Sequence, residues 1–158
     1  MAHAATARGW IITLGKACAV AIVYFLAARL GLTLLSMPSD VAVFWPASGI
    51  AAGILIVSGR RALPAVVVGV VTGTIAANLM SDRSLWTSLF KGFCNAGEAV
   101  LAAWLLVRWF DRPFRFGDLR RVLGFLAAAG LAAVASALGG AASMTLLNAH
   151  TTAPYWDV

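Results

Sequence analysis

The chain has 158 residues, of which 61% are hydrophobic and 11% charged, far below the roughly 25% charged of soluble domains, so a soluble globular domain is excluded. The net charge of +6 does not indicate a nucleic-acid binder, because the cations sit between apolar runs long enough to span a bilayer. A secretory signal would give one short apolar stretch followed by polar sequence, whereas here apolar runs recur to about residue 147.

A bilayer core takes about 20 apolar residues as a helix, and the pattern predicts an all-α polytopic bundle of about five spans. The first is expected over Ile11 to Leu35. The second covers Ala47 to Val57, starting as early as Val41 in one reading, and the third Leu63 to Met80. The fourth covers Leu85 to Val107 and the fifth Val122 to Leu147. Residues 58–64, "SGRRALP", make a tight hairpin between the second and third, with Pro64 in a first helical turn. No long linker marks a second domain, so residues 1–158 read as one integral-membrane unit.

Lys and Arg in short loops set orientation. With a cytoplasmic N-terminus, Arg8, Lys16, Arg60, Arg61, Arg108, Arg112, Arg115, Arg120 and Arg121 fall inside and only Arg83 falls outside. Five crossings then leave residues 148–158 on the outer face. Cys18 and Cys94 lie in apolar runs without metal-ligand spacing and read as buried small hydrophobes. His3 and His150 lie near opposite ends of the chain, and no phosphate loop, nucleophile elbow or HExxH pair occurs. The sequence makes no case for an enzyme, a cofactor, a metal or a nucleic-acid partner.

The segment "VFWPASGI", residues 43–50, interrupts this apolar pattern where the second span begins. Trp45 has the ring favoured at the headgroup level, and Pro46 suits a first helical turn, where its missing donor is not needed. An earlier cap at Ser39 or Asp40 would instead put Pro46 inside the helix and kink it. Ser48 and Gly49 are small, and Gly49 with Gly53 makes a GxxxG pair that allows close helix approach. Gly69 with Gly73 makes a second such face, and Gly130 with Ala133, Ala137 and Ala141 a third.

Residues 43–73, "VFWPASGIAAGILIVSGRRALPAVVVGVVTG", resemble the signature of the first membrane-associated sensor family (MASE type one). There a WP-x-[SA]-G turn precedes an apolar helix, a Gly-Arg hairpin and a Gly-rich helix. Residues 95–108, "NAGEAVLAAWLLVR", are similar to the family's next segment, with Asn95, Glu98 and Ala99 at matching places. The resemblance covers most of residues 20–158. It implies a bacterial inner-membrane sensory domain of about eight helices ahead of a cytoplasmic histidine kinase, diguanylate cyclase or phosphodiesterase module. On that pattern the chain stops near the fifth helix, and later helices and the output module lie beyond it. A homodimer stays open.

Ionisable groups within spans are costly and face a bundle interior or a cavity. Lys91, Asn95 and Glu98 share one stripe of the fourth helix, which Ala102 continues. Lys91 is placed to snorkel outward and Asn95 to bond across helices. Glu98, deeper, needs a partner or a proton, and Arg29 in the first helix is the expected cation. Asn78 is expected to bond near the outer end of the third helix. Three function classes remain open on the sequence: a sensory input domain that works by helix repacking, a transporter fragment and a partner-binding membrane subunit.

Overall fold

The computed structural model describes residues 2–33, 35–36, 41–42, 45–81, 84–110 and 114–148. Ser39, Asp40, Arg83, Arg112, His150 and the tail 149–158 lie outside the described residues. Five helices follow in order: α1 (Ala2–Thr33), α2 (Pro46–Ser58), α3 (Leu63–Leu79), α4 (Leu85–Trp109) and α5 (Leu119–Asn148). Between α1 and α2 lies an antiparallel ladder of two-residue strands, β1 (Leu35–Ser36) and β2 (Val41–Ala42), paired Leu35 to Ala42 and Ser36 to Val41. The all-α architecture stands, with this hairpin as the one addition the sequence pattern does not announce.

Among the described residues four helical stretches are long and apolar enough to cross a bilayer: Gly9–Thr33, Arg60–Leu79, Leu85–Trp109 and Leu119–Ala142. The expected second span is α2, and it has only 13 residues. At roughly 1.5 Å per residue it is about 20 Å long, short of a hydrocarbon core of about 30 Å. Pro46 is its first residue, with non-helical Trp45 at the cap position (φ −126°, ψ 78°), so Pro46 opens the helix and does not kink it. At its other end Gly59 has φ 71°, a left-handed value that a Cβ would strain. The turn at Gly59 leads into a single 3₁₀ turn, Arg60–Ala62, and α3 follows with Pro64 in its first turn.

The core is a seam of α1 on α3, the most extensive helix pair. A Cβ at Gly69 would stand 2.7 Å from the Val20 Cβ and 2.8 Å from the Ala17 carbonyl oxygen, and one at Gly73 would stand 2.9 Å from the Ala21 carbonyl oxygen. The predicted small face of α3 is therefore a true close approach. The other two expected faces are not used within the described chain. Added Cβ atoms at Gly49, Gly53 and Gly130 meet nothing within 4 Å, and Ala133, Ala137 and Ala141 are exposed. Helix α5 packs on α4 with Ala128 and Ala132 buried, and Gly139 approaches Cys94. Cys18 is exposed on the outside of α1 rather than buried.

Candidate functional site

The start of α2 is deep in the bundle. The Trp45 indole Nε1 donates to the Tyr24 hydroxyl at 3.3 Å, and Tyr24 lies nine residues before the end of α1 at Thr33, about 14 Å along its axis at roughly 1.5 Å per residue. That depth and the 20 Å length of α2 together match one bilayer core. Non-helical backbone at such depth is tolerated only where protein buries it or a cavity adjoins it. Here Trp45 is half-buried against the fully buried Tyr24, and from Ser48 onward a cavity of about 350 Å³ lies between α2, α4 and α5.

Four helices bring polar groups to this point. The hydroxyls of Thr74 and Ser48 lie beside the Tyr24 hydroxyl, with the Glu98 carboxyl in electrostatic reach. Asn95 Nδ2 donates to Thr74 Oγ1 at 3.3 Å, tying α4 to α3, and Asn78 Nδ2 donates to the Thr74 carbonyl oxygen at 2.9 Å within α3. Ser48 and Glu98 line the cavity, together with Gly49 and Gly53, whose missing side chains leave it open. Its far wall is made by Phe114, Phe116 and Phe125, stacked edge to face with centroids 5.2 and 5.3 Å apart.

Two details give the site chemical character. Ser48 Oγ is buried and, although it lies beside the Tyr24 hydroxyl, makes no hydrogen bond of ordinary geometry among the described residues, and a buried hydroxyl left without a bond usually costs about 1–3 kcal/mol. Glu98 makes no ion pair with any described cation, yet it faces the same cavity as the first turn of α2, whose positive dipole end favours a carboxylate. The site holds no nucleophile–base pair among its described residues. It is a polar cluster able to exchange hydrogen-bond partners, drawn from four helices: Tyr24 on α1, Ser48 on α2, Thr74 and Asn78 on α3, and Asn95 and Glu98 on α4.

The sequence placed Asn95 and Glu98 on a stripe facing protein, and both do so. Lys91, on the same stripe, is half-buried. Arg29 is elsewhere. Its Nη1 donates to Ser81 Oγ at 2.9 Å, and the expected pair with Glu98 does not form. The reason is depth: Arg29 is four residues from the end of α1, about 6 Å, whereas Glu98 is 13 residues into α4, about 20 Å. Sequence reasoning missed Tyr24 and Thr74. One of only two tyrosines in the chain, Tyr24 sits mid-span and was hidden by its apolar neighbours, although a buried tyrosine hydroxyl normally finds a partner.

A family model, MASE1, matches residues 17–158 of the chain. No curated protein and no solved structure matches it.

Proposed function

Because the chain belongs to the MASE1 family, a membrane-associated sensory domain found in signalling proteins, we propose that it is the input domain of a bacterial inner-membrane receptor whose cytoplasmic output is a histidine kinase or a cyclic-di-GMP enzyme. In this reading the N-terminus is cytoplasmic and the chain crosses the membrane several times. The signal acts on the cluster around Tyr24, Ser48 and Glu98, and the response is a change in how α2 packs between α1, α4 and α5. The single observation that supports the reading is the buried Ser48 Oγ, which makes no hydrogen bond of ordinary geometry among the described residues and lines the same cavity as Glu98. A site held in this incomplete state has an alternative arrangement to move to, and a ligand that completes it prefers one packing over the other, as any shift of populations requires.

The test is to bridge the cavity. Cysteines at Gly53 and Ala132, which face it from α2 and α5, are linked by a short bismaleimide in the receptor carrying its natural downstream sequence, with Cys18 and Cys94 replaced by serine. Output activity is expected to lock at one level and to stop responding to growth conditions. An unchanged response with both cysteines linked would rule out movement of α2 relative to α5. One feature favours a transporter instead: a helix that begins at mid-depth is the discontinuous element on which transporters build substrate sites. Substrate uptake that persists in a receptor lacking its output module would support that second reading.

A further inference from the structure

A second cavity of about 350 Å³ lies at the arginine-rich end of the bundle, between the α2–α3 turn and the last turns of α4. Arg60 and Arg108 both line it, one from the 3₁₀ turn and one from the end of α4. Both are exposed, and neither pairs with any described acid. Asp118, the nearest described carboxylate in sequence to Arg108, is already engaged. It caps α5 by accepting from the Arg121 amide at 2.8 Å and holds the Arg121 guanidinium at 3.5 Å. Two arginines from separate elements thus line one groove that holds no acidic residue among the described ones, and the one described carboxylate bordering Arg108, Asp118 in the adjoining pocket, is shared with Arg120 and Arg121.

The rest of the groove is apolar. Leu55, Leu63, Val100 and Trp104 form its wall, and Trp104 is 58% exposed. Trp104 precedes Arg108 by one helical turn, so ring and guanidinium share a face of α4. Arg60 begins the span Arg60–Leu79, and Arg108 is the penultimate residue of the span Leu85–Trp109. Both charges therefore stand where a bilayer's phosphates lie, and the apolar wall runs below them at acyl-chain depth. A soluble anion would satisfy the arginines and leave the wall unused. A zwitterionic lipid would cover the wall without supplying net charge.

We propose that this groove is a binding site for one anionic phospholipid, its phosphate between Arg60 and Arg108 and an acyl chain along Leu55, Leu63, Val100 and Trp104. Arginine suits the task because its forked donors match phosphate oxygens. The groove lies at the last turn of α2, shares no lining residue with the cavity that reaches the polar cluster at α2's first turn, and does not depend on what that cluster senses. Its consequence is mechanical: a lipid seated here touches the α2–α3 turn and α4 together and so ties the two elements whose relative position the groove records.

The experiment uses tryptophan quenching in vesicles of phosphatidylcholine containing increasing fractions of phosphatidylglycerol, with brominated acyl chains placed on one lipid or the other. The contribution of Trp104 is the difference between the protein and its Trp104→Phe variant. Brominated phosphatidylglycerol is expected to quench that contribution at a lower mole fraction than brominated phosphatidylcholine. Removing each arginine should raise the half-quenching fraction about fivefold, the usual effect of one cation beside an anionic surface. Arg60→Gln with Arg108→Gln should abolish the preference, and Lys at both positions should retain part of it, which separates loss of charge from loss of fold. Equal quenching by the two lipids would overturn the proposal, as would a preference surviving in the double Gln variant. Displacement of phosphatidylglycerol by millimolar inorganic phosphate would equally overturn it, by assigning the arginines to a soluble anion.

Discussion

Replacing Gly73 with alanine should separate α1 from α3, whereas the same change at Gly49 should not be resisted by any neighbour. At Gly73 the new Cβ stands 2.9 Å from the Ala21 carbonyl oxygen and 3.3 Å from both the Phe25 amide nitrogen and the Tyr24 Cβ. Two of these three are backbone atoms, which cannot rotate aside. Restoring ordinary contact needs the helices to part by about half an ångström along a packed seam, and overpacking of this kind costs about 1–3 kcal/mol. At Gly49 nothing lies within 4 Å, so alanine there should only gain helix propensity, about 0.5–1 kcal/mol. That gain is common to both sites and cancels in the comparison, so Gly73→Ala should be less stable than Gly49→Ala by about 1–3 kcal/mol. Reversible unfolding in mixed detergent micelles, followed by loss of helical circular dichroism against rising dodecyl sulfate, measures that difference. Gly69→Ala, facing Val20 and the Ala17 carbonyl, is a second arm and should behave like Gly73→Ala. Equal midpoints for all three variants would refute the seam as the core of the fold.

The contrast between these glycines marks the boundary of what the sequence makes legible. Small residues four apart are visible as a pattern, but the pattern does not say whether a helix packs in contact with them, and of the three predicted faces only the α3 pair does so among the described residues. The beginning of α2 at Pro46 was readable, because a proline's missing donor is harmless in a first turn. Its shortness was readable too, since the run Ala47 to Val57 is only about half a span, but nothing local reveals that Trp45 is anchored to Tyr24 at mid-depth. The polar stripe of α4 was likewise readable from spacing alone. Its partners belong to other helices: Asn95 found Thr74, and the cation expected for Glu98 went to Ser81. Composition and periodicity fix what each helix offers, while tertiary depth decides which offers meet.

Ser84 caps α4 by accepting from the Thr87 amide at 3.2 Å, and Ser84→Ala should cost about 1 kcal/mol in the same micelle titration. Single cysteines at Trp86 and Arg115, in a background lacking Cys18 and Cys94, should label oppositely with an impermeant thiol reagent if the N-terminus is cytoplasmic; labelling of both from one side would defeat that topology. Gly53→Leu, projecting into open cavity, should fold normally and silence output, and a silent variant that has also lost its helix content would not support the cavity as the input site. The last prediction concerns Arg29, whose depth favours Ser81 over Glu98. A double-mutant cycle of Arg29→Leu with Ser81→Ala should give a measurable coupling, because a charge-assisted hydrogen bond contributes about 1.5–3 kcal/mol. The cycle of Arg29→Leu with Glu98→Leu should be additive within about 0.5 kcal/mol, as for residues without a shared partner. Removing Arg29 leaves Ser81 Oγ with the Ala77 carbonyl at 3.3 Å, so the first coupling reports the guanidinium contact and not an orphaned hydroxyl. If the second cycle couples and the first does not, Arg29 reaches Glu98 in the membrane, and α1 and α4 must then be offset along their axes from the arrangement described.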